Sequence, residues 1–469
     1  MTVPGIVISA LRGGAGKSIL SIGIAAALKN RGTSVAPFKK GPDYIDTGWL
    51  ALAAGRPCYN LDTFLISEDQ VISSFLNHTK TMDIAVVEGN RGLFDGIDID
   101  GKTSTAEISK LLGLPVILCV DGSKTTRTMA AAVSGCINFD SGTRIKGVIL
   151  NRVAGKRHET ILRNSIEHFC GIPVLGAVPK LREHDFPERH MGLVPTFEHD
   201  WATESVEAAA GIASTYIDLD RLFSVAKEGS FKTSLSGTAE DKASHFRTAE
   251  NAPRIGIVKD SAFQFYYPEN IEALQEAGST TILLNALTDS SIKEVDALYI
   301  GGGFPETHAD ALAGNTGFRE DVKASVENGL PVYAECGGLM YLGENLVMEG
   351  KEYPMTGVLP AVFGLSKKPV GHGYTISLVD GENPFFPVGT EIRGHEFRYS
   401  TVLEWRGNDD YFTFETKRGK GFRNKRDGVR YKNVLATYTH IHALGTPSWA
   451  ESMVRAARAF KEKKNGRKT

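Results

Sequence analysis

The sequence predicts an α/β protein built from two doubly wound domains, each with a mostly parallel sheet. Short apolar strands alternate with helical stretches in both halves of the chain, a pattern typical of parallel sheets covered by helices. A polar segment with little periodicity interrupts this alternation, and the 469 residues exceed one ordinary core. We therefore expect domains at 1–223 and 253–450, a linker at 224–252 and a basic C-terminal helix or tail at 451–469.

Apolar runs bounded by turn residues give the expected strands in chain order. A strand-rich insertion is expected near 355–430, and no internal repeat is visible. In the first half the expected strands are 3–10, 34–38, 84–88, 115–120, 145–150 and 173–178. In the second half they are 254–258, 280–284, 297–300, 331–334 and 434–438.

Composition narrows the class of protein and its compartment. The chain has 42% hydrophobic and 23% charged residues and a formal charge of -2, which favours a globular protein without a nucleic-acid partner. Its five cysteines form no CxxC pair, which argues against a structural zinc site or a disulfide framework. No signal peptide and no 18-residue apolar run is visible, so we expect a cytoplasmic protein with no membrane partner.

The first expected strand runs into a glycine-rich turn and then a helical pattern. Backbone amides of such a turn point at phosphate oxygens, Lys17 neutralises charge, and the Ser18 hydroxyl can reach Mg²⁺. Leu11 stands where the strict motif has its first glycine, so we interpret the turn as a variant P-loop; a glycine turn without chemistry is the alternative. The residues expected to bind the phosphates of ATP are Gly13, Gly14, Gly16, Lys17 and Ser18.

Acidic residues follow two further strands of the first half. Asp43 comes after the second strand, and Glu88 ends the third. Ligands of doubly wound sheets bind at the carboxyl edge, and Mg²⁺ prefers hard oxygen ligands. We therefore predict a magnesium site formed by Ser18, Asp43 and Glu88. For any one of these acids, a solvated or capping role is the alternative.

Cys336 stands on a sharp turn between an apolar strand and a helix. Such a turn exposes the sulfur, and the N-terminus of the helix favours the thiolate. The Gly337-Gly338 pair lets a substrate approach the backbone, the glycines at 301–303 can offer amide hydrogens to an oxyanion, and a His follows a late strand. A lone cysteine is more often an ordinary buried residue, but this combination favours a nucleophile.

A set of uncommon sequence blocks covers nearly the whole chain. Together with the variant P-loop, these blocks resemble the cobyrinic acid a,c-diamide synthase family, in the order of its domains. The blocks are Gly41-Pro-Asp-Tyr-Ile-Asp46, Glu88-Gly89 through Gly92-Leu-Phe-Asp95-Gly96, Glu188-Arg-His-Met-Gly-Leu193, Glu335-Cys-Gly-Gly338, Gly394-His-Glu-Phe397 and Tyr438-x-His440.

The resemblance implies a P-loop, dethiobiotin-synthetase-like ATPase domain followed by a class I glutamine amidotransferase domain. The reaction that it implies replaces the a and c acetate carboxylates of a tetrapyrrole with amides in cobalamin biosynthesis. ATP and glutamine are consumed at each carboxylate, and Mg²⁺ accompanies the ATP. ATP would convert the carboxylate into an acyl phosphate, because a carboxylate has no leaving group that ammonia can displace. A homodimer is compatible with this reading.

The resemblance also implies roles for individual residues of the second domain. Cys336 is the expected nucleophile, His440 its partner, and His442 the weaker alternative for that partner. Gly303 and Gly337 are expected to hold the oxyanion. Many amidotransferases of this class place a Glu two residues after the His, where this chain has His442, so the orienting third residue is left open.

In the first domain, three further residues match family positions. Asn151 resembles an Asn that reads the adenine ring in related ATPases, with a loop-capping Asn as the alternative. Asp46 and Asp95 match acids near the phosphates or the substrate carboxylate. In the second domain, His395 and Glu396 belong to a family block whose role the sequence leaves open.

Two departures from the family pattern concern the substrate. Asn90 and Arg91 stand where the family commonly has Val-Met, and Ala443 where an aromatic residue is common. Arg91 could meet an additional carboxylate on the ring or close a turn. Sirohydrochlorin, nickel sirohydrochlorin and siroheme are therefore alternative substrates. A cobyric acid synthase and a nucleotide-switched binding ATPase are weaker alternatives for the whole protein.

Overall fold

The structure is a computed structural model that describes residues 3–181, 188–189, 192–193, 196, 201–229, 251–292 and 294–466. The chain divides into two compact units, Met1–Thr238 and Ala239–Thr469. The division falls within the predicted linker, 224–252, of which residues 230–250 lie outside the described ranges. The first residues of that predicted linker belong to a helix that ends at Ala226.

The first unit contains a seven-stranded sheet in which all neighbouring strands are parallel. Its strands are β1 (Gly5–Ala10), β2 (Val35–Lys40), β3 (Tyr59–Leu61), β4 (Ile84–Glu88), β5 (Val116–Asp121), β6 (Ile145–Val153) and β7 (Val174–Pro179). Their order is β3-β2-β4-β1-β5-β6-β7. Every strand predicted for this half is present. Of the strands of this sheet only β3 was missed, because three residues carry too little pattern. A separate antiparallel pair joins β8 (Glu188–Arg189) and β9 (Gly192–Leu193).

Eight helices are described in the first unit. They are α1 (Lys17–Asn30), α2 (Ile45–Ala54), α3 (Glu68–Thr79), α4 (Thr105–Leu111), α5 (Arg127–Phe139), α6 (Lys156–Cys170), α7 (Ala202–Tyr216) and α8 (Leu219–Ala226). Ten of the fourteen residues of helix α1 are buried, and Ile22, Ile24 and Leu28 belong to the same core cluster as Ile6 and Ile8 of β1. The loop between β1 and α1 is therefore fixed at both ends by the core.

The second unit is built on a mixed ten-stranded sheet. Five strands form its parallel part: β10 (Arg254–Val258), β12 (Thr280–Leu284), β13 (Ala297–Ile300), β15 (Val332–Glu335) and β24 (Val434–Thr437). All five were predicted. The sheet continues with antiparallel neighbours: β23 (Arg426–Tyr431), β22 (Phe412–Arg418), β19 (Gly371–Val379), β20 (Glu391–Arg398) and β25 (His440–Ile441). The α/β class predicted for both domains is confirmed.

Two smaller sheets complete the second unit. A four-stranded sheet has the order β17 (Lys351–Pro354), β16 (Asn345–Met348), β18 (Ala361–Leu365) and β21 (Ser400–Trp405). The short strands β11 (Phe263–Phe265) and β14 (Gly302–Gly303) form an antiparallel pair. The strand-rich insertion predicted near 355–430 thus supplies β18 and β21 of the four-stranded sheet and most of the antiparallel strands of the ten-stranded sheet, whereas β16 and β17 precede it.

Five α-helices are described in the second unit: α9 (Pro268–Glu276), α10 (Ala309–Gly314), α11 (Thr316–Glu327), α12 (Gly337–Tyr341) and α13 (Ser448–Gly466). Helix α13 covers most of the predicted C-terminal segment, 451–469. Its Trp449 and Met453 are buried in a core cluster with Tyr299 and Tyr333. None of the helices described in either unit is long and apolar enough to cross a membrane.

Candidate active sites

The predicted phosphate cradle of the first unit lies between β1 and α1. Gly16 has a φ of 90°, and a Cβ at this position would lie 2.2 Å from Nδ2 of Asn151. That amide donates a 2.9 Å hydrogen bond to the carbonyl oxygen of Ala15. Only glycine fits here. Asn151, at the end region of β6, therefore holds the turn that precedes α1.

Lys17 and Ser18 open α1 and are directed toward the neighbouring strand β4. Nζ of Lys17 donates a 2.8 Å hydrogen bond to the carbonyl oxygen of Arg91, and burial lowers the pKa of this lysine. Oγ of Ser18 donates to Oε1 of Glu88 at 2.8 Å and to Oδ2 of Asp46 at 3.2 Å. The structure thus brings together Ser18 and Glu88, as predicted for a metal site, and adds Asp46 to them.

Lys39 completes this cluster and was not among the predicted site residues. Its side chain is 2% exposed, and Nζ bonds to Asp46 and, at 2.8 Å, to Oε1 of Glu88. A lysine near the end of a core strand gives only a weak sequence signal. The contact with Glu88 follows from strand order, since β2 and β4 are neighbours with Lys39 opposite Glu88.

Burial and mutual charge set the protonation of this cluster. Burial raises the pKa of Glu88 to about 7, against the opposing effect of the Lys39 charge. Burial also acts to raise the pKa of Asp46, but the charge of Lys39 outweighs it and the pKa of Asp46 is lowered. Burial acts to lower the pKa of Lys39, but Asp46 and Glu88 outweigh it and raise that pKa. The cluster therefore holds the Lys39 cation against an ionised Asp46.

The same cluster fits a magnesium ion by its chemistry. The Ser18 hydroxyl and the two carboxylates of Asp46 and Glu88 are hard oxygen donors. Oε2 of Glu88 is buried without a hydrogen-bond partner in the described part of the chain, and a cation would satisfy it. Within the described ranges no group of three or more His, Cys, Asp or Glu side chains could hold a metal by itself. A bound Mg²⁺ would therefore take further oxygens from nucleotide and water.

The other residues predicted for this site lie around the cluster. Oδ1 of Asp43 accepts a 2.9 Å hydrogen bond from the backbone N–H of Asp46 at the start of α2, so geometry favours Asp46 over Asp43 as the metal ligand. Oδ2 of Asp95 accepts from the N–H of Gly92 at 2.8 Å and closes a turn. Arg91 is exposed with a φ of 51°. The block 188–193 has its side chains outside the described residues.

In the second unit, Cys336 occupies the turn between β15 and α12. Its φ of 49° and ψ of -98° are strained for a residue with a side chain, which is typical of a nucleophile elbow. The elbow is tied to β24 by a 2.8 Å hydrogen bond from the N–H of Cys336 to the carbonyl oxygen of Thr437. A Cβ on Gly337 would lie 3.1 Å from the backbone nitrogen of Gly303, so the two predicted oxyanion glycines are adjacent.

His440 opens β25 and faces both Cys336 and Glu335. Nδ1 lies 3.5 Å from Oε2 of Glu335, and the ring also forms a hydrogen bond with Cys336. Burial acts to lower the pKa of His440, but the Cys336 and Glu335 partners outweigh it and raise it to about 10. A Cβ on Gly302 would lie 2.3 Å from Cε1 of His440, so glycine is required for the ring to occupy this place. Cys336 and His440 are thus brought together, as predicted.

His442, the weaker alternative for the catalytic histidine, faces another partner. Its Nε2 lies 3.5 Å from Oε1 of Glu269 on α9, and both side chains are buried. Its Nδ1 accepts a 3.3 Å hydrogen bond from the N–H of Leu444. The geometry therefore favours His440 as the partner of Cys336.

The block Gly394 to Phe397, whose role was open, lies beside the catalytic histidine. In the register of β20 with β25, His395 is opposite His440, and its Nδ1 lies 3.4 Å from the hydroxyl oxygen of Tyr267. Burial, together with His440 and His442, holds the pKa of His395 well below its ordinary value. A neutral imidazole therefore packs against the catalytic ring.

Glu396 and Arg398 of the same strand build a buried ion pair under Tyr438. Oε1 of Glu396 accepts hydrogen bonds from the N–H groups of Lys420 and Gly421, at 3.0 and 2.9 Å. The guanidinium carbon of Arg398 lies 3.6 Å from the ring centroid of Tyr438. The pair therefore supports the segment that carries His440, two residues after Tyr438.

Two family models match the chain, one in each unit. The CobQ/CobB/MinD/ParA nucleotide binding domain matches residues 6–194. The CobB/CobQ-like glutamine amidotransferase domain matches residues 254–448. The first range contains the cradle and the Lys39 cluster, and the second contains Cys336 and His440.

Curated relatives match over nearly the whole chain. The cobyrinate a,c-diamide synthase of Magnetococcus marinus is 42% identical over 454 residues, which cover 97% of this chain and 97% of that protein. The protein of the same name from Listeria innocua is 39% identical and covers 94% of this chain and 97% of its own. That of Archaeoglobus fulgidus is 37% identical and covers 97% and 98%.

Proposed function

The chain belongs to the family of cobyrinate a,c-diamide synthases, and on that premise we propose that it amidates the a and c acetate carboxylates of cobyrinate. It is a carbon–nitrogen ligase that takes nitrogen from glutamine and uses ATP. The observation that carries the proposal is that one chain holds both an assembled phosphate cradle and an assembled Cys336–His440 pair.

In the first unit, the cradle is suited to activating a carboxylate. The backbone of the turn before Lys17 would bind the phosphates of ATP, and Lys17 would neutralise the charge that develops when a phosphoryl group is transferred. Ser18, Asp46 and Glu88 would hold the accompanying Mg²⁺, which shields phosphate charge. The product of this step is an acyl phosphate, whose phosphate is a good leaving group for attack by ammonia.

In the second unit, the sulfur of Cys336 attacks the side-chain amide carbon of glutamine. The imidazolium of His440 beside the sulfur favours the thiolate and gives its proton to the departing ammonia as the C–N bond breaks. The amides near Gly303 and Gly337 would stabilise the oxyanion. Water then hydrolyses the glutamyl thioester to glutamate and restores the thiol.

The same chemistry on another ring is the second candidate. Arg91 is exposed, and its carbonyl oxygen is bound by Lys17 of the cradle. An arginine in this place can meet a carboxylate that the commoner Val-Met of the family cannot. Sirohydrochlorin, nickel sirohydrochlorin and siroheme carry acetate side chains that the same two sites could amidate.

Mass spectrometry of the products tests the proposal. Purified enzyme with Mg-ATP and glutamine is offered cobyrinate and the three alternative rings in parallel. Each carboxylate-to-amide conversion lowers the mass by about one unit, because OH is replaced by NH₂ at the activated acyl group. Two conversions of cobyrinate are expected. Four conversions would indicate a cobyric acid synthase, and conversion of another ring alone would overturn the substrate assignment.

A variant separates the two chemistries. Cys336→Ser is expected to lose amidation with glutamine but to retain it with ammonium chloride, because ammonia formed in solution can attack the same acyl phosphate. Unchanged glutamine-dependent amidation would contradict the role of Cys336. A parent enzyme without any glutaminase activity would favour the nucleotide-switched binding ATPase instead.

A further inference from the structure

We infer that Glu335, the residue immediately before the nucleophile, is the positioning residue that orients His440 and stabilises its charged form. The inference rests on the proposed function and adds the third residue that the sequence left open. In many amidotransferases of this class a Glu two residues after the His has this task, but here that position is His442.

The Glu335 carboxylate contacts the catalytic segment through both of its oxygens. Oε2 lies 3.5 Å from Nδ1 of His440. Oε1 accepts a 3.0 Å hydrogen bond from the backbone N–H of Ile441. One carboxylate therefore fixes the imidazole and the backbone next to it, which restrains both the position and the rotation of the ring.

Two buried tyrosine hydroxyls donate to the carboxylate of Glu335. Its side chain is fully buried. The Tyr299 hydroxyl donates to Oε2 at 3.0 Å, and the Tyr333 hydroxyl donates to Oε1 at 3.2 Å. Burial raises the pKa of both tyrosines well above the ordinary value, so they remain neutral donors. Among the described residues, the ionisable side chain that an ion-pair contact joins to this carboxylate is His440.

The strained elbow explains how two consecutive residues can serve one ring. In a regular strand, successive side chains point to opposite faces of the sheet. Glu335 ends β15, whereas Cys336 has left strand geometry with a φ of 49°. The break in alternation lets the carboxylate and the sulfur both contact His440.

Other buried acids near the site have different partners. Asp427 accepts hydrogen bonds from the Thr437 hydroxyl at 2.8 Å and from the N–H of Tyr438. Glu396 is held by backbone N–H groups and Arg398, and Glu269 faces His442. Among the buried carboxylates described in this unit, Glu335 is the one that an ion-pair contact joins to His440.

The experiment measures how fast Cys336 is alkylated by iodoacetamide across pH 6 to 10, with peptide mass spectrometry to separate it from the other cysteines. Ionisable groups facing His440 are Cys336, Glu335 and His395, with His442 beyond His395. Glu335→Gln keeps the size but removes the charge, so less thiolate–imidazolium pair forms. We expect alkylation at neutral pH to slow by about tenfold and its pH profile to move to higher pH.

Glutaminase kinetics provide a second readout on the same variants. Glu335→Gln is expected to lower kcat by a factor on the order of 10² to 10⁴, with KM for glutamine little changed, because substrate binding does not use this carboxylate. Glu335→Asp, which keeps the charge, should recover part of the loss. Glu269→Gln is the matched control, since it also neutralises a buried carboxylate that faces a histidine, and it should leave the alkylation profile unchanged.

An alkylation profile of folded Glu335→Gln that superimposes on the parent would overturn the inference. If circular dichroism shows that Glu335→Gln does not fold, Glu335→Asp decides: a profile between parent and His440→Ala supports the role, and a parent profile contradicts it. Neither result depends on which tetrapyrrole is the substrate. Failure of the amidation assay with an intact alkylation difference would therefore overturn the proposed function alone.

Discussion

The imidazole of His395 stacks on that of His440, with ring centroids 4.9 Å apart and an angle of 21° between the ring planes. The two rings differ in charge, since the pKa of His440 is raised to about 10 while that of His395 is held well below 6.5. A neutral ring against a charged one restrains the catalytic imidazole without competing for its proton. Stability and activity should therefore respond differently to changes at His395.

The first prediction concerns the pH dependence of stability. Because His395 is neutral when folded but titrates near 6.5 when unfolded, the unfolded state binds the additional proton in acid. Stability from this group is present above pH 6.5 and is lost as pH falls, with a slope of up to about 1.4 kcal/mol per pH unit. His395→Phe should reduce this slope. Urea unfolding of parent and variant between pH 5 and 7.5 measures it; equal slopes would contradict the prediction.

A second prediction concerns Lys39. Lys39→Met leaves Asp46 and Glu88 buried without their cation, and removal of one partner from a buried ion pair destabilises by about 3–5 kcal/mol. Mg²⁺ without nucleotide should reverse part of the loss, because the ion can take the place of the ammonium. Thermal unfolding with and without Mg²⁺ measures both effects. Lys110→Met, which breaks a partly exposed ion pair with Asp140, is the control and should change stability by no more than about 1 kcal/mol.

A third prediction concerns the turn before α1. Gly16→Ala places a methyl group 2.2 Å from Nδ2 of Asn151 at a φ of 90°, so the turn must deform. ATP binding measured by titration calorimetry should weaken by at least about 100-fold, because the backbone amides no longer converge on the phosphates. Gly135→Ala in α5, where a Cβ meets nothing within 4 Å, is the matched control and should bind ATP like the parent.

A fourth prediction separates two roles of Asn151. Nδ2 donates to the carbonyl oxygen of Ala15, and Oδ1 accepts from the N–H of Arg152. Both polar atoms of the side chain are therefore hydrogen-bonded to the backbone. If positioning the turn is its role, Asn151→Ala should weaken ATP and GTP by the same factor. Competition of the two nucleotides with a fluorescent analogue measures this. A loss confined to ATP would show instead that Asn151 reads the adenine ring.

Strands and motifs were predictable because their signals are local. The apolar runs, the turn before Lys17 and the elbow at Cys336 each lie within a few residues of sequence. Lys39 and Glu335 were missed because their roles depend on which strands become neighbours. Lys39 lies opposite Glu88 because β2 and β4 are neighbours in the sheet. Glu335 contacts His440 although more than 100 residues separate them in the sequence. Asp43 was predicted to bind the metal, whereas its carboxylate accepts a hydrogen bond from the backbone N–H of Asp46 at the start of α2.

The Lys39 ammonium also determines how the fold of the first unit responds to the ions in solution. The positive charge between Asp46 and Glu88 is the side chain of Lys39 in β2. It is therefore present whatever ions the solution contains. Chelating agents should therefore remove nothing on which the fold of this unit depends. On the proposed function, a divalent ion would enter and leave with each ATP, and Lys39 would supply the counter-charge while the ion is absent.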